Sequence, residues 1–406
     1  MKLTAAWQEE IIRFAQELIR IPGFSGEEGR TAEAVARQMR RLGYDEVEVD
    51  RWGNVIGTIH GTRPGPTIVF DGHMDVVPVR DPEAWEHDPY GAEIVDGALW
   101  GRGSVDMKGG LAACICAGAS VDRAKISGTV MVTATIAEEL LIGRGLGKIL
   151  EGRKVDGLIT CEPTGLRQIA VGGVGRITAE MTARGLTAHS SKPHLGDNAI
   201  YRAMDAASRI RAMPRRTDPV FGTEVIELVE MKSKPSPGNG SVPDYCWALW
   251  ECRLLPGETC DSFLQRFHTA LQDFPGAEKV TFEPGRIAID CYTGEHLEHE
   301  DFLPAWLTPA EEPFRRLVEQ ALSLTGIQAE PVIFRACTNA SVSAGIMGIP
   351  SLIYGPGSLD LAHKPNEHLP IAELLASAEV YAAIIERTGF TQGSEHLSKV
   401  DSSSKL

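Results

Sequence analysis

At 406 residues the chain is too long for one simple core and suits two domains, or one large domain carrying an insertion. Its composition, 43% hydrophobic and 23% charged, is that of a soluble globular protein, and a formal net charge of -15 argues against nucleic acid or an anionic membrane as partner, since phosphate binding is driven by clustered Lys and Arg. No apolar run reaches the ~20 residues that span a bilayer, and Met1 to Glu10 lacks the basic start and apolar core of a signal peptide, so a cytoplasmic protein is expected.

Two helices open the chain. Trp7 to Ile19 carries apolar residues at helical spacing and stops before Pro22; Ser25 to Glu28 reads as a capping box that starts a second helix, up to Leu42. Strands are predicted near Tyr44 to Val49, Asn54 to Ile59 and Thr67 to Phe70, followed by a hairpin over Ala92 to Trp100 that turns at Asp96-Gly97. A helix over Met107 to Val121 leads into the β-branched run Thr129 to Ile136, a Gly-rich helix to Leu150 and a strand over Gly157 to Thr160. This alternation indicates an α/β fold, a mostly parallel sheet covered by helices.

From Val174 the order becomes strand (Arg176 to Ala183), helix (Asp197 to Met213), strands (Glu224 to Met231 and Tyr245 to Leu254), helix (Glu258 to Leu271) and strand (Glu278 to Phe282). That β-α-β-β-α-β unit can form its own small sheet with helices on one side, so 174–287 is read as a domain inserted between 1–173 and 288–390. Then follow a helix (Pro309 to Leu324), a strand (Pro331 to Phe334), a helix (Asn339 to Met347), a strand (Ser351 to Tyr354), a last helix (Ile371 to Thr388) and a polar tail, 391–406. The eight cysteines include no C-x-x-C pair and are read as reduced core residues. The final Ser404, Lys405 and Leu406 match a peroxisomal address, which only a eukaryotic host would read.

The chemistry collects where strands stop. The run Thr67 to Phe70 ends in Asp71, Gly72, His73, Met74 and Asp75; residues two apart on a strand face the same way, which places Asp75 to hydrogen-bond the His73 imidazole and fix its tautomer. Asp106 lies in the glycine-dense bend from Gly101 to Gly110. TATIAEE ends in Glu138 and Glu139, LITCEPT carries Glu162, and His363 follows the strand at Ser351. Taken singly, such residues are ordinary surface or capping groups. Their coincidence at successive strand ends supports a site for two zinc ions: Asp106 bridging, His73 and Glu162 on one ion, Glu139 and His363 on the other. Glu138, left off the metals, is then the natural general base.

The pieces GHMDVVP, GRGSVDMKGG, AEE, CEPT, TAHSSKP, ECRLLPGET and GPGSLDLAHKPNE, in this order from Pro22 to Thr388, resemble the M20 metallopeptidase and deacylase family. The resemblance implies a catalytic domain with two zinc (or cobalt) ions, a lid/dimerisation domain that forms a homodimer, and a cis peptide bond after the bridging Asp106. It further implies that His189 of the lid stabilises the oxyanion, commonly in the partner's site, that Arg253 binds the substrate's free carboxylate, and that backbone amides around Gly355 to Gly357 complete that carboxylate site. Thr338 and Asn339 stand where many members carry Thr-Asp, which bears on the shape and charge of the substrate pocket.

The expected activity is metal-dependent hydrolysis of the amide bond in N-acyl amino acids, as in the acetylornithine deacetylase branch, on a small substrate with a free carboxylate. A metallo-carboxypeptidase or dipeptidase is the alternative, and a non-catalytic metal-binding interaction protein the remote one. Nucleotide-dependent redox chemistry is excluded, because Gly172, Gly173 and Gly175 do not form G-x-G-x-x-G and Lys148 is followed by Ile149 rather than Ser or Thr.

Overall fold

The computed structural model describes residues 2–388, so the polar tail and its Ser-Lys-Leu end lie outside the described residues. Its larger sheet runs in the order Glu46–Val49, Val55–His60, Ser127–Thr135, Arg63–His73, Gly157–Thr160, Ser351–Ile353, Gln168–Gly173 and Trp306–Leu307, with Glu330–Phe334 also paired to Gln168–Gly173. The middle four strands, from Ser127–Thr135 to Ser351–Ile353, are parallel, and antiparallel strands flank them on both sides.

These strands are apolar and buried in their central runs, such as Ile68 to Phe70 and Leu158 to Ile159, because both faces are covered there. Ile68 and Phe70 enter the main core with Leu111 and Ile115 of the helix Lys108–Ser120, whereas Val69 between them points into a separate cluster with Leu146 and Ile149. The register levels the ends of the parallel strands: His73 pairs with Thr135, Asp71 with Thr160, and Ile353 with Thr160. Whatever follows each strand therefore meets at one edge of the sheet.

The second sheet is antiparallel, ordered Val225–Lys234, Tyr245–Leu254, Gly175–Arg184 and Val280–Pro284. Alternate residues of Tyr245–Leu254 are buried: Cys246, Ala248, Trp250 and Cys252 pack in one cluster with Phe263 and Phe267 of the helix Cys260–Ala270. Their neighbours Tyr245, Trp247, Leu249, Glu251 and Arg253 lie on the opposite face. Phe302–Leu303 also joins this sheet, beyond the 287 boundary read from the sequence.

Several local expectations need correction. Ser25 and Glu28 do not form a capping box: the helix Gly29–Arg41 has no side-chain cap, and both residues turn toward the site instead. The strand Gln168–Gly173 and the hairpin Arg286–Asp290/His296–Glu300 were not anticipated, and the helix expected over Asn339 to Met347 is reduced to Ala340–Ser343.

Candidate metal centre and active site

At the sheet edge, His73 Nε2 lies 3.1 Å from Asp106 Oδ1 and 3.7 Å from Glu162 Oε1. His363 Nε2 lies 3.2 Å from Asp106 Oδ2 and 3.1 Å from Glu139 Oε2, so Asp106 stands between the two imidazoles. The Asp106-Met107 peptide bond is cis. His73 Nδ1 is 2.8 Å from the main-chain carbonyl of Asp75, with the Asp75 carboxylate farther off at 3.4 Å, so the carbonyl rather than the carboxylate is the closer partner that fixes the tautomer.

The Asp75 carboxylate has other partners. It accepts from the Glu138 and Glu139 amides, 3.1 Å each, and from the Ser25 hydroxyl at 2.6 Å. Glu28 accepts from the Ala137 amide and Asn54 from that of Ile136. Four successive amides of the turn that presents Glu138 and Glu139 are thus held by side chains from three distant segments. On the other side Glu367 accepts from the Val105 and Asp106 amides and pairs with Arg102 at 2.5 Å. Lys108, fully buried, donates to Ile21 O and adds positive charge near Asp75, Glu367 and Glu28. Such supporting groups fix the backbone that presents the clustered side chains.

The electrostatics suit bound cations. Burial, reinforced by Asp106, pushes the Glu139 and Glu162 carboxyls up, and burial with the neighbouring carboxylates pushes Glu138 well above the usual range. Burial alone would lower His73, yet its hydrogen bonds to Asp106 and Asp75 hold it well above an ordinary imidazole; hydrogen bonds to Asp106 and Glu139 raise His363 to about 10. Glu138 Oε1 and Glu139 Oε1 are buried without a hydrogen-bond partner, as ligand or base oxygens would be. His73, Asp106 and Glu139 each offer a ligand atom within 4.8 Å of the others, and so do His73, Glu138 and Glu162. Imidazole and carboxylate donors at this density fit a pair of divalent ions. Proximity alone does not set Glu138 apart from the ligands.

The remaining predicted residues are placed differently. His189 is exposed, and its Nδ1 accepts from Ser191 of its own loop. Arg253, on the face of the lid sheet free of helices, pairs with Glu251 at 2.9 Å and keeps one guanidinium nitrogen buried without a partner. The Gly355 amide donates to the Thr164 hydroxyl and the Gly357 amide to Glu373, so these amides are engaged within the fold rather than free for a carboxylate. Thr338 accepts from the Ala340 amide. Asn339 is buried, and its side chain donates to Asp71 at 2.7 Å and to Thr135 at 2.9 Å.

A model of peptidase family M20/M25/M40 matches residues 69–387. The chain is 30% identical over 390 residues to the Escherichia coli K12 protein YgeY, covering 93% of this chain and 94% of that protein. It is 28% identical over 395 residues to the succinyl-diaminopimelate desuccinylase of Rhodospirillum centenum, covering 93% and 96%. The fold matches the Bacillus subtilis YXEP protein, described as a dinuclear metal binding peptidase, with a TM-score of 0.70 at 17% identity over 94% of this chain and 98% of that one.

Proposed function

The chain belongs to peptidase family M20/M25/M40, and on that premise we propose that it hydrolyses the amide bond of N-acyl amino acids carrying a free carboxylate. The observation that carries this reading is the meeting of His73, Asp106, Glu138, Glu139, Glu162 and His363 at the level ends of parallel strands. Asp106 would bridge two zinc ions, with His73 and Glu162 on one and Glu139 and His363 on the other; cobalt suits the same donors. When bound, such ions supply Lewis-acid polarisation of the scissile carbonyl and lower the pKa of water.

Glu138 takes the proton of the attacking water and returns it to the leaving nitrogen. The amides held by Asp75 and Glu28 keep its carboxyl aimed at the reacting atoms. Arg253 receives the substrate's carboxylate, for which its planar fork is suited. His189 donates to the developing oxyanion. Its exposure supports a role in the site of a second copy, and the lid's edge strand Val225–Lys234, with Val225, Val229 and Met231 exposed, offers a surface for a homodimer. Turnover in the cytoplasm is part of the same proposal; among the described residues no helix is long and apolar enough to cross a membrane.

The test is the initial rate of amine release from N-acetyl, N-succinyl and N-aminoacyl amino acids, with metal-loaded and chelator-treated protein. Chelator-sensitive release from simple acyl substrates is expected. Release confined to N-aminoacyl substrates would make the protein a dipeptidase, and no release from any would refute the reading.

A further inference from the structure

Beside the metal cluster, Phe24, Val76, Trp85 and Leu140 wall a cavity of about 840 Å³ that reaches Glu139 and His363. No residue of the lid lines it. Leu140, directly after Glu139, is 48% exposed, a large apolar side chain left open beside a candidate ligand. Arg102 is in the wall as well, but it is 3% exposed, its charge is spent on Glu367, and its guanidinium lies 5.3 Å from the Trp85 ring, where it braces the indole. Arg80 and Asp81, also in the wall, are exposed, adjacent and of opposite sign. The wall is therefore mostly apolar side chains and prolines, with Glu139, His363 and Ser25 where it meets the cluster, and Arg80 and Asp81 contribute one charge of each sign.

Because Arg253 on the lid is assigned the carboxylate of the amino-acid half, the acyl half must leave the cluster on the side without the lid. We propose that this cavity is the acyl pocket, and that it takes an aliphatic or aryl acyl group longer than acetyl, an inference that rests on the amidohydrolase reading above. Its volume lies within the range of roughly 300–1,000 Å³ typical of small-molecule sites, far more than two carbons fill. Each further methylene buried there adds about fourfold in binding.

Two measurements test this. With one amino acid held constant, N-hexanoyl and N-phenylacetyl substrates should exceed the N-acetyl one in kcat/KM by at least about tenfold, and Trp85→Ala should cut that ratio about tenfold with metal content unchanged. Separately, hexanoate or phenylacetate should quench tryptophan emission in the wild type, and Trp85→Phe, which removes one of the seven tryptophans, should abolish that quenching. Acetyl and hexanoyl substrates turned over equally, with no quenching, would overturn the pocket and leave the amidohydrolase reading standing. Quenching without turnover of any amide would keep the pocket and overturn that reading. A preference for succinyl over hexanoyl would overturn the apolar class of acyl group.

Discussion

The two halves of the proposed site are built to different standards. On the sheet edge the clustered groups are supported and, except for the half-exposed His363, largely buried: Asp75, Glu28 and Asn54 hold the amides that present Glu138 and Glu139, and Glu367 holds those of Val105 and Asp106. On the lid, His189 is exposed with a partner only in its own loop, and Arg253 keeps a guanidinium nitrogen unpaired. The contrast teaches that the body carries its geometry with it, while the two lid groups have no comparable support among the described residues, as the proposed roles in binding substrate and serving a second copy of the chain require. Changes in the body should disturb chemistry or stability; changes in the lid should show themselves only against a particular ligand or partner.

The largest effect is expected at Glu138. Glu138→Gln keeps its size but cannot accept a proton, so kcat should fall by about 10²–10⁴ while metal content, measured by atomic emission, stays at the wild-type level. Loss of metal would move Glu138 into the ligand set, a result its closeness to His73 and Glu162 makes worth excluding.

Mixing that variant with His189→Ala sharpens the comparison. If each lid serves its partner's body, a refolded mixture contains sites with both groups intact, and about a quarter of wild-type activity should return from two nearly inactive preparations. Activity no higher than the sum of the two would place His189 in its own subunit's site or in none.

Much of the body was legible in the sequence because several of the proposed ligands follow strands whose apolar runs are unmistakable, and register then brings their ends level. What the sequence concealed lies in contacts between distant segments. Glu28 and Ser25 have the spacing of a capping box, and nothing local reveals that Ala137 and Asp75 compete for them. Glu367 ends the HKPNE piece, yet its partners Arg102, Val105 and Asp106 lie more than 250 residues earlier. Gly355 and Gly357 suggest accessible amides, and only the fold shows Thr164 and Glu373 already on them. The short hairpin at 286–300 has strands of five residues each, RIAID and HLEHE, too brief for periodicity to decide.

On the lid, Arg253→Ala should weaken substrates with a free carboxylate by roughly 10–100-fold in kcat/KM, the value of one or two charge-assisted hydrogen bonds, and leave the corresponding carboxamides nearly unchanged. Equal losses on both would assign Arg253 to lid structure, through Glu251, rather than to substrate.

The smallest effect is expected beneath the strand ends. Burial pushes the Asp71 carboxyl up to about 6, and the hydrogen bonds from Thr133 and Asn339 limit that rise. A carboxyl raised in the folded state costs stability as pH climbs above its unfolded value, and the cost stops growing once the folded group ionises. Asn339→Ala removes one donor and raises Asp71 further. At pH 5 both folded proteins largely hold the proton, so the variant should show only the pH-independent loss of the Asn339 hydrogen bonds to Asp71 and Thr135. As pH rises through about 6 the wild type ionises and its cost levels off, while the variant's continues to grow, so the deficit should widen toward roughly 1–3 kcal/mol at neutral pH in urea unfolding of the metal-free protein. KM should change little, because Asn339 is directed at Asp71 and Thr135. A raised KM with undiminished stability would return Asn339 to the substrate site and blur the division between a body that supports and a lid that recognises.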